Sequence, residues 1–376
     1  MPHSSEPAGS QDNDLPGLAE KTGIDSTTSL DRLARNLGVT WSNLDQAREL
    51  AGITRRKLTE ALSDVVSDDV SIVVSGSLAR GEFTSGSDID WTLLVDGLSD
   101  AKHLDLTIEI GKTIQALAPK EVGQEKTFGT MVFSHDLVHQ IGGEDDTNKN
   151  LTRRLLLLLE SRAIGRDAAY RRVVRNILNR YLLEDRGFWG GSGHRVPRFL
   201  QNDFARYWRT MAVDFAFKLR TRSGRGWAIR NMKLRMSRKL IYVSGLLACY
   251  RCHLDYTPDE RLTLFKDKTR REEVIEHLEQ VFSATPLEIV ASVLLRNPQL
   301  NESALKILGS YDEFVGILSA KENRDDLEAL TEQAAETNEL YQHVRHLSHT
   351  FRDGLLEFFF DSESEMESLT KNYGVF

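Results

Sequence analysis

The feature that most constrains this chain is a glycine- and serine-rich turn between two strand-like runs. Val70 to Val74 is rich in β-branched residues, and Ile89 to Val95 forms a second run of this kind. Two aspartates, Asp88 and Asp90, stand two positions apart where the second run begins. Because alternate residues of a strand project to the same face, this spacing predicts a pair of carboxylates on one side of a sheet.

The paired carboxylates and the turn together predict a site for a divalent metal ion and a phosphate group. Two hard oxygen ligands suit Mg²⁺, which prefers few protein carboxylates, retained waters and phosphate oxygens. Gly76 allows the backbone to approach a phosphate closely, and the Ser77 hydroxyl with neighbouring amides can donate hydrogen bonds to it. Either feature alone is more often a simple turn or a helix cap. Both features between two strands favour the site.

The segment from Gly76 to Asp90 resembles the Gly-Ser…Asp-x-Asp signature of the DNA polymerase β superfamily of nucleotidyltransferases. Within it, Arg80-Gly81-Glu82 and Ser87-Asp88-Ile89-Asp90 are similar to the uridylyltransferase domain of the PII-modifying enzyme and related nucleotidyltransferases. The resemblance extends to the helix from Asp146 to Ser161, through its Leu-Leu-Glu-Ser-Arg segment. It covers about a third of the chain, so it implies little about the remainder.

The resemblance implies a metal-dependent reaction that moves a nucleoside monophosphate from a nucleoside triphosphate to a hydroxyl acceptor and releases pyrophosphate. It implies that Asp88 and Asp90 hold two Mg²⁺ or Mn²⁺ ions and that Gly76, Ser77 and Arg80 bind the nucleotide. The acceptor stays open between a protein, an RNA end and a nucleotide. A nucleotide-binding regulatory module without catalytic activity is the alternative.

A third carboxylate on a later strand is usual in this superfamily and completes the metal site beside the acceptor hydroxyl. The candidate here is Asp136, in the apolar stretch Thr130 to Val138 that we interpret as a third strand. Glu125 and Asp145 are alternatives, and some relatives lack a clear third acid.

A basic region follows the predicted catalytic segment, although the whole chain carries a net charge of -8. Between Arg195 and Lys239 there are 13 Lys or Arg and only two acids. By analogy with similar enzymes, the helical part of the chain supplies cations to the nucleotide phosphates, and the candidates are Lys233, Arg238 and Lys239. The alternatives are a solvated or acid-paired basic face and an RNA-backbone groove, in which Tyr207, Trp208 and Trp227 would stack on bases.

These observations predict an α+β fold, in which a small mixed β-sheet domain of the nucleotidyltransferase type is followed by an α-helical domain. Residues 1–28 lack periodic apolar positions and are predicted to be a disordered tail. The first domain is expected over residues 29–165, including short N-terminal helices, and the helical domain over residues 166–376. The longest aliphatic run, Leu155 to Leu159, is too short to span a bilayer, so we expect a cytoplasmic protein without membrane contact.

Overall fold

A computed structural model of the chain describes residues 27–63, 67–117, 128–190, 193–221, 226–360 and 365–374. The predicted disordered tail lies outside the described residues, apart from its last two positions. The strands are β1 (Val70–Ser75), β2 (Asp90–Val95), β3 (Thr130–Phe133) and β4 (Ser161–Ile164). The helices before β4 are α1 (Ser29–Leu37), α2 (Ser42–Ala61), α3 (Gly76–Arg80), α4 (Lys102–Leu117), α5 (Ser134–Val138) and α6 (Asn148–Leu159).

Helices form most of the chain after β4. They are α7 (Ala168–Glu184), α8 (Arg198–Thr221), α9 (Trp227–Lys233), α10 (Lys239–Leu254), α11 (Pro258–Leu264), α12 (Arg271–Phe282), α13 (Pro286–Leu294), α14 (Asn301–Ala304), α15 (Ser310–Ser319), α16 (Lys321–Ala329), α17 (Glu332–Ala335), α18 (Glu339–Phe360) and α19 (Glu365–Leu369). Three π-helical segments, Leu234–Arg238, Leu305–Gly309 and Thr370–Gly374, continue α9, α14 and α19 respectively.

The four strands form one mixed sheet with the order β3-β2-β1-β4. β1 pairs antiparallel with β2 and β4, whereas β2 and β3 are parallel. The prediction of a small mixed sheet followed by a helical part is therefore confirmed. Residue Ser75 at the end of β1 lies opposite Asp90 on one side and Ser161 on the other. The end of β1 thus meets the beginnings of β2 and β4 at one edge of the sheet.

Alternating side chains of the sheet contribute to two separate cores. Ile72 and Val74 of β1 pack with α2 and α4 on one face. Val73, which points the other way, joins a larger core with α6, α7, α8 and α10 that continues to α18. This larger core also contains Leu30 and Leu44 from α1 and α2, so the N-terminal helices bind to the helical part. The predicted domain boundaries at residues 28 and 165 stay predictions.

The predicted third strand is wrong in its second half. β3 ends at Phe133, and residues 134–138 form α5 instead. The two adjacent apolar residues Leu137 and Val138 are both buried. A helical turn can direct neighbouring residues to the same core, whereas a strand would direct one of them to the opposite face.

No helix in the described ranges combines the length and the apolar character that crossing a bilayer requires. The cellular compartment stays a prediction.

A buried charge network connects α6 to α7 and α8. Arg154 is fully buried and donates hydrogen bonds to Asp146 at 3.0 and 3.1 Å, to Asp203 at 3.1 Å and to the Tyr181 hydroxyl at 2.8 Å. Tyr181 in turn donates to Asp203 at 2.5 Å. Because the two carboxylates are buried, removal of the guanidinium would leave negative charge without a partner inside the protein.

We therefore expect Arg154→Ala to lower the free energy of unfolding by about 3–5 kcal/mol. Arg166→Ala is the matched control, because Arg166 pairs with Asp68 at 3.4 Å on the surface, and its loss should cost less than about 1 kcal/mol. Urea denaturation followed by circular dichroism measures both. Similar midpoints for the two variants would contradict this role for the network.

Candidate active site

The glycine–serine turn, Gly76 and Ser77, is the beginning of the short helix α3 directly after β1, and its backbone requires glycine. Gly76 has a φ of 69°, in the left-handed region that residues other than glycine rarely adopt. Its amide donates to the Glu160 carbonyl oxygen at 3.1 Å, which connects the turn to the residue before β4. A Cβ placed on Gly76 would lie 3.2 Å from Asp90 Oδ2. The Asp90 carboxylate therefore lies directly against the turn.

Asp88 and Asp90 line the same cavity as Gly76 and Ser77. Asp90 is the first residue of β2, Asp88 lies in the preceding loop, and Ile89 between them is buried in the core on the opposite side. The cavity has a volume of about 290 Å³. The paired carboxylates and the glycine–serine turn are thus brought together as the sequence spacing predicts.

The raised pKa of Asp90 indicates that the Asp88 and Asp90 carboxylates favour a bound cation. Burial raises the pKa of Asp90 to about 7, and the negative charges of Asp88 and Glu160 contribute to the increase. Lys233 and Arg80 act in the opposite direction. Two neighbouring carboxylates with excess negative charge, beside a turn that leaves room for phosphate oxygens, are a suitable donor set for Mg²⁺ or Mn²⁺.

A comparison with known protein families agrees with this geometry. Residues 55–133 match the family model described as nucleotidyltransferase domain. This chain carries a nucleotidyltransferase domain. The match contains β1, the glycine–serine turn, both aspartates and β3, but it covers well under half of the chain. It does not distinguish the PII-modifying enzymes from other members. No curated protein and no solved structure matches the chain significantly.

Other lining residues of the cavity come from the helical part, outside the matched residues 55–133. Lys233 at the end of α9 and Arg238 at the end of the following π-helical segment both line the cavity. Arg324 of α16, which sequence reasoning missed, lines it as well. Burial lowers the pKa of Lys233 to about 8, and the charge of Arg324 adds to this effect. Cations of the helical part and carboxylates of the sheet part therefore line the same cavity.

Lys239 does not line this cavity, although it is adjacent to Arg238 in the sequence. Burial lowers its pKa, as do the nearby charges of Arg235 and Arg352. A π-helical segment has a wider turn than an α-helix, and such segments are frequent at functional sites. Arg238 therefore lines the cavity, whereas Lys239 lies near the charges of Arg235 and Arg352.

Asp136 is not brought to the carboxylate pair of the nucleotidyltransferase domain. It lies in the first turn of α5, is absent from the cavity wall, and interacts electrostatically with Arg153. Of the alternatives, Glu125 lies outside the described residues and Asp145 is exposed away from the cavity. Phe128, two residues before β3 begins, lines the cavity. Within the described ranges, no three His, Cys, Asp or Glu side chains are arranged to hold a metal ion.

Arg80 lines the cavity, but its guanidinium already has two carboxylate partners. Its Nε donates to Glu82 Oε2 at 2.9 Å, and Nη1 donates to Glu160. Burial opposes the charge on Arg80, yet these carboxylates raise its pKa above the ordinary value. Arg80 therefore connects α3 to Glu82 and Glu160, and it has few hydrogen-bond donors left for a nucleotide phosphate.

Two tyrosine hydroxyls connect these carboxylates to the helical part. Tyr311 of α15 donates to Glu82 Oε2 at 3.0 Å, and Tyr207 of α8 donates to Glu160 Oε1 at 3.3 Å. Sequence reasoning assigned no role to Glu160, although the Leu-Leu-Glu-Ser-Arg segment contains it. The signal in the sequence that could have indicated a role for Glu160 is its charge directly after the leucine run Leu155 to Leu159.

The aromatic residues of the basic region pack against other parts of the protein, and Trp208 and Trp227 are half-buried. Tyr207 is buried, Trp208 stacks on Tyr242 with 5.8 Å between ring centroids, and Trp227 packs on Tyr341 at 5.3 Å. These contacts favour a packing role over the base stacking that an RNA groove would require.

We expect Gly76→Ala to weaken Mn²⁺ binding at least tenfold, because its Cβ would displace the Asp90 carboxylate. Gly38→Ala is the control: Gly38 has a φ of 66° but nothing within 4 Å of its added Cβ. Both variants should lose about 1–2 kcal/mol of stability from the left-handed backbone, and only Gly76→Ala should lose Mn²⁺ affinity. Calorimetric titration and thermal unfolding measure the two effects. Equal Mn²⁺ affinity in both variants would contradict the position of Asp90.

Proposed function

We propose that this chain is a metal-dependent nucleotidyltransferase that moves a nucleoside monophosphate from a nucleoside triphosphate to a hydroxyl acceptor and releases pyrophosphate. The observation that carries the proposal is the convergence of Asp88 and Asp90 on the Gly76–Ser77 turn in one cavity. The match of residues 55–133 to the nucleotidyltransferase domain supports it.

In this proposal, Asp88 and Asp90 hold Mg²⁺ or Mn²⁺, and phosphate oxygens and water supply the other ligands. The bound metal would offset negative charge on the phosphates and make an acceptor hydroxyl easier to deprotonate. The protein ligands come from these two aspartates, since Asp136 lies elsewhere.

The chain's own groups would hold the triphosphate in a fixed orientation. The Gly76 turn leaves room for a phosphate, and the Ser77 hydroxyl and nearby amides can donate hydrogen bonds to its oxygens. Lys233 and Arg238 line the same cavity from the helical part and can stabilise the charge that develops on departing pyrophosphate. Positioning of the reactants and prearranged charge are the main contributions that a protein makes to phosphoryl-group chemistry.

The remaining wall of the cavity can accommodate the nucleoside. Met211, Ile241, Phe314 and Leu318 provide apolar surface, and Thr210 lies among the lining residues. An apolar surface with a few polar groups is typical of sites for small organic ligands. Transfer of label from each of the four nucleoside triphosphates identifies the base and the class of acceptor.

The proposal is tested by incubating the protein and Mg²⁺ with each of the four α-³²P-labelled nucleoside triphosphates and fractionated cell extract. We expect label on protein, on RNA or in a small nucleotide product, together with release of pyrophosphate. Which fraction carries the label identifies the acceptor class. Nucleotide binding without transfer to any fraction would favour the regulatory alternative.

Asp88→Asn and Asp90→Asn should each lower the transfer rate by about 100-fold or more, because a metal ligand supplies several kcal/mol of transition-state stabilisation. Asp136→Asn should retain activity within about threefold, since Asp136 does not line the cavity. Asp105→Asn, at an exposed position of α4, is the matched control. Full activity in Asp88→Asn and Asp90→Asn would refute the proposal. A loss in Asp136→Asn as large as theirs would restore Asp136 as the third acid.

A further inference from the structure

Arg324 is a buried cation whose position the active-site signature does not explain. It lies on α16 of the helical part, is 8% exposed, and contributes to the wall of the cavity. Its Nε is buried and has no hydrogen-bond partner among the described residues. Buried polar groups almost always have partners, so a donor left without one beside a cavity indicates a ligand that completes it.

The side chain of Arg324 lies against the loop that carries Asp88. A Cβ placed on Gly86 would lie 2.9 Å from Arg324 Cδ and 3.2 Å from both Nε and Nη1. Only a residue without a side chain leaves room for this approach of the guanidinium to the loop backbone. The Arg324 guanidinium therefore lies beside the loop that carries Asp88.

The cations of the cavity differ in whether the protein already neutralises them. Arg80 pairs with Glu82 and Glu160. For Lys233, Arg238 and Arg324, no carboxylate oxygen within the described part of the chain lies at ion-pair distance. Like charges that are close and partly desolvated repel one another, and a multivalent anion would remove this repulsion.

We propose that Arg324 binds the terminal phosphate groups of the nucleoside triphosphate and makes the site select triphosphates over monophosphates. The inference rests on the proposed function, because it concerns the same cavity. A guanidinium can donate two parallel hydrogen bonds to phosphate oxygens, whereas an ammonium group acts as a point charge. Arg324 thus adds a directional contact to the charge that Lys233 and Arg238 provide.

The test is equilibrium binding, which does not depend on turnover. The affinities of α,β-methylene nucleoside triphosphates and of the corresponding monophosphates are measured by calorimetry, and by ligand-detected NMR where binding is weak. We expect Arg324→Ala to weaken triphosphate binding by about 10- to 100-fold, as for loss of hydrogen bonds to a charged group, and to change monophosphate binding less than twofold. Arg324→Lys should recover only part of the loss.

Two further variants separate this role from a structural one. Gly86→Ala retains every charge but displaces Arg324, so it should reduce the preference for triphosphate in the same direction. Lys321→Ala removes an exposed cation of the same helix and should leave both affinities unchanged. Thermal unfolding of each variant checks that the fold is intact.

An unchanged triphosphate affinity in Arg324→Ala would overturn the inference, as would equal losses for triphosphate and monophosphate. If only this inference fails, wild type still binds triphosphate and Asp88→Asn still lowers the rate of label transfer as expected above. If wild type binds no triphosphate at all, the proposed function fails and the inference fails with it.

Discussion

The glycine–serine turn depends on the burial of one guanidinium between two carboxylates. Arg80 is the last residue of α3 and pairs with Glu82, two residues further along the chain, and with Glu160, which precedes β4. Tyr311 and Tyr207 attach these carboxylates to α15 and α8. A buried ion pair is stable only when all its members are present and hydrogen-bonded, so the network holds the sheet edge and the helical part in one arrangement.

That arrangement brings acidic and basic side chains from two parts of the chain into one cavity. The sheet edge presents Asp88 and Asp90, whereas the helical part presents Lys233, Arg238 and Arg324. A triphosphate in the cavity would accept hydrogen bonds from these cations. A metal ion held by the two carboxylates would bind to its oxygens as well. Neither the sheet part nor the helical part alone provides both kinds of group. The contacts of α1 with α13 and of α2 with α15 help to keep the two parts together.

The sequence predicted the local part of the site well, because its geometry depends on neighbouring residues. β-branched runs predicted β1 and β2, and an aspartate two positions before another predicted a pair facing one cavity. Prediction was less accurate where a single pattern allows two structures. The apolar stretch from Thr130 to Val138 does not reveal that its strand ends at Phe133, so Asp136 was placed on the wrong type of element.

What the sequence determined by itself is the turn with its two aspartates, since the pleat of a strand and the backbone freedom of Gly76 are local properties. Only the tertiary structure decided which distant groups complete it. Glu160 follows α6 and Arg324 lies on α16, and the packing of these helices brings both residues to the cavity. Arg238 rather than Lys239 lines it. Such choices depend on long-range packing, which residue spacing along the chain does not encode.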